Sequence, residues 1–114
     1  PQYVHFHKSL PIETFGPLLN NAGCILGNSS SGIIEAEFLG TPSVNVGSRQ
    51  SGRTRGCNVI DVHNDCLKIQ HAVSKQLSHG RYNSNFIYGD GNAAARIMPV
   101  LENHEISQQK QNSY

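Results

Sequence analysis

Three hydroxyl side chains and a carboxylate fall together in Gly27-Asn28-Ser29-Ser30-Ser31-Gly32-Ile33-Ile34-Glu35, between two groups of apolar residues. Before it, Cys24-Ile25-Leu26 reads as a short buried strand. After it, Ile33, Ile34, Phe38 and Leu39 recur at helical spacing up to Gly40, a C-terminal stop. The stretch is therefore a strand-to-helix turn rich in small residues, and the first backbone N–H groups of the helix it opens would lack partners. Small side chains let an anion reach those N–H groups, and the helix dipole favours its negative charge. Ser29, Ser30 and Ser31 add hydroxyl donors at the same place. Glu35, about one turn further into the helix, offers an acceptor for sugar hydroxyls beside a bound phosphate. A serine N-cap with a solvated glutamate is the competing reading of the same residues. The pattern is neither G-x-G-x-x-G nor a P-loop, so neither of those mechanisms transfers to it.

A second group with chemical potential is Gly47-Ser48-Arg49-Gln50-Ser51-Gly52-Arg53-Thr54-Arg55-Gly56, which sets Arg49, Arg53 and Arg55 between glycines. Flexible backbone and forked guanidinium donors suit phosphate recognition, whereas a solvated loop would carry the same residues for no such purpose.

The elements that must position these groups follow from the apolar pattern. Tyr3-Val4-His5-Phe6 reads as a short strand. Pro11 suits the first turn of a helix with Ile12, Phe15, Leu18 and Leu19 on one face, closed by Asn20-Asn21-Ala22-Gly23. The strand at 23–26, the serine turn and the helix to Leu39 come next. Thr41-Pro42 punctuates the chain before the strands Ser43-Val44-Asn45-Val46 and Asn58-Val59-Ile60-Asp61-Val62. Asn64 or Asp65 caps a further helix, with Ile69, Ala72, Val73, Gln76 and Leu77 as an apolar stripe broken by one polar residue. Gly80 ends it, and His71 and His79 fall on its outer parts. A polar loop spans Tyr82 to Asn85. Tyr88-Gly89-Asp90-Gly91-Asn92 then turns into a helix carrying Ala93, Ala94, Ile97 and Leu101, which Pro99 should kink or end near Met98. The Gln-, Asn- and Ser-rich end reads as a disordered polar tail over 105–114. Strands alternating with helices indicate β-α-β units, an α/β class and a parallel sheet. Ligands of such sheets bind outside the carboxyl ends of the strands, where the serine turn and the arginine loop both lie.

The 114 residues fit one small domain, over 1–104. A hydrophobic fraction of 37% and a mean hydropathy of −0.40 are low for a self-sufficient core. A net charge of +1 excludes a general electrostatic attraction to nucleic acid or to a membrane. Cys24, Cys57 and Cys66 are odd in number and lack C-x-x-C spacing, which argues against a disulfide framework or a zinc site and fits a reducing cytoplasm. Cys24 suits a small core position rather than a nucleophile. No apolar run approaches about 18 residues and no signal peptide is present, so a soluble chain is expected. The glycosylation sequon Asn28-Ser29-Ser30 is then without consequence. His5 and His7 would share a face of a regular strand, but without Asp, Glu or Cys nearby they make no metal site.

With these residues laid out, the chain resembles the C-terminal part of hydrolysing UDP-N-acetylglucosamine 2-epimerases over roughly residues 4 to 102. The resemblance rests on Ala22-Gly23-Cys24 leading to Gly27-Asn28-Ser29-Ser30, on Gly32 and Glu35, and on Gly40-Thr41-Pro42. It continues through Arg49-Gln50, Gly52-Arg53 and Asn58-Val59 to Tyr88-Gly89-Asp90-Gly91-Asn92-Ala93. It implies the C-terminal half of a two-domain glycosyltransferase-B-like fold, here a partial Rossmann-like three-layer α/β/α domain with a parallel sheet. The nucleotide-sugar would lie in the cleft between the two domains. Ser29 and Ser30 would bind the UDP phosphates, Glu35 the ribose hydroxyls, and Arg49 the diphosphate or the substrate. Asn28, Gly32, Gln50 and Arg53 carry over as further substrate-binding positions, and no cofactor is implied.

The family reaction eliminates UDP across C1–C2 and adds water with inversion at C2, giving N-acetylmannosamine for sialic and related nonulosonic acids. Its acid and base carboxylates come mainly from the N-terminal domain. The resemblance therefore implies an inactive fragment whose partner is that missing domain, within a homo-oligomeric intact enzyme. Two further readings stay open. One is the UDP-sugar-binding domain of a B-type glycosyltransferase, against which Arg49-Gln50-Ser51-Gly52-Arg53 argues; the other is a non-catalytic nucleotide-binding module. The sugar itself, N-acetylglucosamine or a diacetylated bacterial analogue, is left undetermined.

Overall fold

Apolar runs of three or four residues, each closed by glycine or a polar turn, fold as the three parallel strands of one sheet. In the computed structural model, which describes residues 2–89 and 92–103, these are β1 (Ile25–Gly27), β2 (Ser43–Val46) and β3 (Val59–Val62). They lie in the order β1-β2-β3, with Leu26 opposite Val44 and Val44 opposite Ile60. This is the parallel α/β arrangement of a partial Rossmann-like domain. Asp90, Gly91 and the tail over 105–114 lie outside the described residues.

The helix α1 (Ile12–Asn21) has Pro11 at its N-cap rather than in its first turn, and contains Pro17. Of the four residues on its expected apolar face only Leu19 is buried; Ile12 and Leu18 are exposed. The stretch after β1 is not one helix. A short 3-10 turn covers Ser30–Gly32, and the helix α2 spans only Glu35–Leu39, ending at Gly40 in the left-handed conformation. Glu35 is thus the first residue of α2 rather than a turn inside it.

The link from β2 to β3 corrects the expected alternation, because residues 47–58 contain no helix or strand. It is held instead by side chains. Asn58 Nδ2 donates to the Thr41 carbonyl at 2.9 Å, and Tyr88 donates its hydroxyl to the Thr54 carbonyl. The helix α3 (Cys66–His79) packs on β2 and β3, with Asp65 as its N-cap accepting from the Lys68 N–H. Gln76, the polar residue that interrupts its stripe, is fully buried. Its amide donates to the carbonyls of Ser43 and Asn58 and its oxygen accepts from Tyr82, so it bolts the helix to two strands at once. Burial without such partners would cost about 1–3 kcal/mol. Leu77, counted with the stripe, is exposed.

A further expectation fails, and one of the two outcomes expected at Pro99 is ruled out. Tyr3 to Phe6 is irregular and exposed, because no described strand lies beside it to supply the lateral hydrogen bonds that a strand needs. The same-face argument for His5 and His7 falls with that strand. Pro99 does not end the last helix, α4 (Ala93–Asn103), which continues past it. A helix that gives up one hydrogen bond at proline bends or carries the loss without having to stop.

Candidate functional site

The carboxyl ends of all three strands open onto one cleft of about 630 Å³. Gly27 and Asn28 reach it from the end of β1, Ser48 and Arg49 from beyond β2, and Asn64 from beyond β3. Two of the eight candidate residues, Asn28 and Arg49, are therefore brought together. Their side chains are exposed and have no hydrogen-bond or ionic partner among the described residues. Asn64 was legible only as a helix cap. Asp65 takes that role, which leaves the Asn64 carboxamide to the cleft. Applying the strand-end rule to the third strand as well as the first two would have found it.

The serine turn is more self-contained than its sequence implies. Ser29 Oγ accepts from the Ser31 N–H at 3.2 Å, and the N–H groups of Gly32, Ile33 and Ile34 bond to the carbonyls of Ser29 and Ser30. The N–H groups from Ser31 to Ile34 are therefore not open to an anion, and Ser29 is a cap. The carbonyl of Ser30 closes the turn, while its half-buried hydroxyl has no partner among the described residues. Gly32 is buried against β2, where a Cβ would lie 2.8 Å from Ser43 Oγ, so its smallness serves packing. Glu35 lies elsewhere. It borders an apolar pocket of about 280 Å³ with Phe15, Ile34, Phe38 and Tyr88.

Gln50 does not face the cleft. It is buried, and its Nε2 donates to the Asn28 carbonyl at 3.0 Å, latching the arginine loop onto the serine turn. A Gln50→Ala variant should release that latch at a cost of about 1 kcal/mol. Trypsin cleavage after Arg49 or Arg53 should then run roughly fivefold faster than in the wild type, as local opening becomes easier. An unchanged cleavage rate would show that the loop is held by something else.

The three arginines divide their duties. Arg55 is committed to Asp61, with Nε 2.6 Å from Oδ2, and donates from Nη1 to the Arg53 carbonyl at 2.5 Å. It therefore leaves the set of phosphate candidates. Arg53 is half-buried and does not line the cleft. Burial works against the charge of Asp61, but hydrogen bonds from Arg55 and Asn45, with the guanidinium charge, outweigh it and hold its carboxyl below the usual carboxylate range. Burial also pushes the Cys24 thiol up, against a hydrogen bond from the Val44 backbone, which suits a packed thiol better than a nucleophile. All three cysteines are free, no group of three or more His, Cys, Asp or Glu side chains among the described residues could hold a metal, and no described helix is long and apolar enough to cross a membrane.

A strand-end cleft with one free guanidinium suits a phosphorylated ligand. Comparison with known proteins supplies the family: the model of UDP-N-acetylglucosamine 2-epimerase matches residues 2–102. The chain belongs to that family. It is 34% identical over 100 residues to a UDP-N-acetylglucosamine 2-epimerase of Neisseria meningitidis, covering 85% of this chain and 26% of that protein. It is 39% identical over 99 residues to the UDP-N,N'-diacetylbacillosamine 2-epimerase (hydrolyzing) of Legionella pneumophila, covering 87% of this chain and 26% of the relative. A GDP/UDP-N,N'-diacetylbacillosamine 2-epimerase (hydrolyzing) of Campylobacter jejuni is 43% identical over 60 residues, which is 48% of this chain and 16% of that protein. The chain thus spans about a quarter of the length of the first two relatives. Membership also sets aside the glycosyltransferase reading.

Proposed function

We propose that this chain is the nucleotide-binding part of a hydrolysing 2-epimerase that converts UDP-N-acetylglucosamine to N-acetylmannosamine and UDP, in the synthesis of sialic or related acids. The observation that carries this reading is Arg49, a guanidinium without a partner among the described residues, set beside Asn28 in the cleft at the strand ends. In the elimination the C1–O bond breaks as a proton leaves C2, and the departing diphosphate gains negative charge. A forked donor beside it in the cleft would lower that barrier. The family resemblance also gives the diphosphate to the Ser30 hydroxyl and the ribose to Glu35, two residues that do not line this cleft. The apolar wall of Phe15, Ile34 and Tyr88 beside Glu35 suits the flat face of the base. Among the described residues no carboxylate lines the cleft, which supports the reading that the groups removing and returning the C2 proton come from other parts of the complete protein. That arrangement makes the chain alone inactive.

The names of the Legionella and Campylobacter relatives support a second substrate for the same chemistry, the diacetylated bacillosamine nucleotide. The test offers both nucleotide-sugars to the complete protein and measures released UDP and the freed 2-epimeric sugar. Release of UDP with a mannose-configured product from either substrate is expected, with none from the 114-residue chain. A complete protein that turns over neither, while folded, would leave the reading without an activity.

A further inference from the structure

Asn64 lines the cleft, and neither the sequence motifs nor the family resemblance gives it a ligand to bind. Two carboxamides, Asn28 beyond β1 and Asn64 beyond β3, border the cleft that Arg49 enters from beyond β2. The chemistry of the three side chains differs in a way that sorts a ligand. A guanidinium only donates, which matches the accept-only oxygens of a diphosphate. A carboxamide both donates and accepts, which matches hydroxyl and acetamido groups that do the same. Neither carboxamide nor Arg49 has a hydrogen-bond partner among the described residues, so their bonding capacity is unspent. The cleft, at about 630 Å³, falls within the range of about 300–1,000 Å³ that small-molecule ligands occupy and has room for more than a diphosphate.

We infer that Asn64 is a specificity-determining residue that reads the sugar of the nucleotide-sugar, accepting from and donating to its hydroxyl or acetamido groups, while Arg49 holds the diphosphate. This inference rests on the reading of the cleft as a nucleotide-sugar site. Asn64 is exposed and makes no side-chain bond among the described residues, so its truncation leaves folding intact.

The test titrates UDP and UDP-N-acetylglucosamine separately into the complete protein and its Asn64→Ala variant, with a thermal melt of each protein as the folding control. Asn64→Ala should bind UDP-N-acetylglucosamine roughly tenfold more weakly and UDP within about twofold of the wild type, the loss expected for one hydrogen-bonding side chain. Equal weakening of both ligands would overturn the inference by placing Asn64 on the nucleotide, and so would no weakening of either. Wild-type protein that binds neither ligand would instead overturn the nucleotide-sugar reading itself, and this assignment with it.

Discussion

A single methyl group added at Gly40 should strip a large part of the stability of the unit that carries the serine turn. Gly40 sits at a φ of 75°, in the left-handed region where any side chain costs about 1–2 kcal/mol. The space is also taken. A Cβ built on Gly40 would lie 2.1 Å from the carbonyl oxygen of Tyr82, and that backbone is pinned by the Tyr82 N–H donating to the Gly40 carbonyl at 2.8 Å. Forcing a rigid neighbour aside costs about 1–3 kcal/mol more. A loss of about 2–5 kcal/mol takes a large part of the stability of a domain that begins with about 5–15 kcal/mol. Gly16 in α1 is the control: it meets nothing within 4 Å, so Gly16→Ala should gain about 0.5–1 kcal/mol from the reduced freedom of the unfolded chain. Urea denaturation followed by circular dichroism compares the two variants with the wild type. Matching midpoints for Gly40→Ala and Gly16→Ala would contradict the close approach of Gly40 to Tyr82.

The second large effect falls on binding and spares the fold. Arg49→Ala removes a side chain that has no partner among the described residues, so stability should change by less than about 0.5 kcal/mol. Its charge-assisted hydrogen bonds to a diphosphate would disappear with it. At about 1.5–3 kcal/mol this corresponds to roughly ten- to a hundredfold weaker UDP binding. Uridine, which has no phosphate, should bind as before. Arg49→Lys should fall between, because an ammonium keeps the charge but cannot form two parallel bonds to one phosphate.

The layout of the sheet was readable because its causes are local. Ser43–Val46 is an apolar-rich run fenced by Pro42 and Gly47, and the sequence boundaries coincide with β2. Asp65 and Gly80 mark α3 in the same way. What escaped depends on partners distant in sequence. Tyr3 to Phe6 has the residues of a strand but no neighbour to pair with. The segment from Ile33 to Leu39 has helical spacing, yet only Glu35–Leu39 is α-helix, after a 3-10 turn over Ser30–Gly32 that sets Gly32 against Ser43. Arg55 looked like one of three equivalent phosphate donors until Asp61, on β3, claimed it.

The site shows the same division. Chain order and the strand-end rule were enough to bring Asn28 and Arg49 to one cleft. They could not tell that Gln50 turns inward to hold the Asn28 carbonyl, or that Glu35 borders a separate apolar pocket. The small core has a related consequence. Among the described residues Leu19, Ile33, Ala36, Val44 and Ala72 form the buried hydrophobic core, while Phe6, Leu67, Ile97, Met98 and Leu101 are exposed. So much exposed apolar surface is ordinarily covered by other protein.

Calorimetric titration of UDP and of uridine into the complete wild-type protein and its Arg49→Ala variant tests the central claim most directly. If the strand-end cleft holds the diphosphate, the wild type binds UDP more tightly than uridine, and Arg49→Ala loses most of that difference while its uridine affinity stays unchanged. If both proteins bind UDP equally well, the nucleotide does not lie in this cleft.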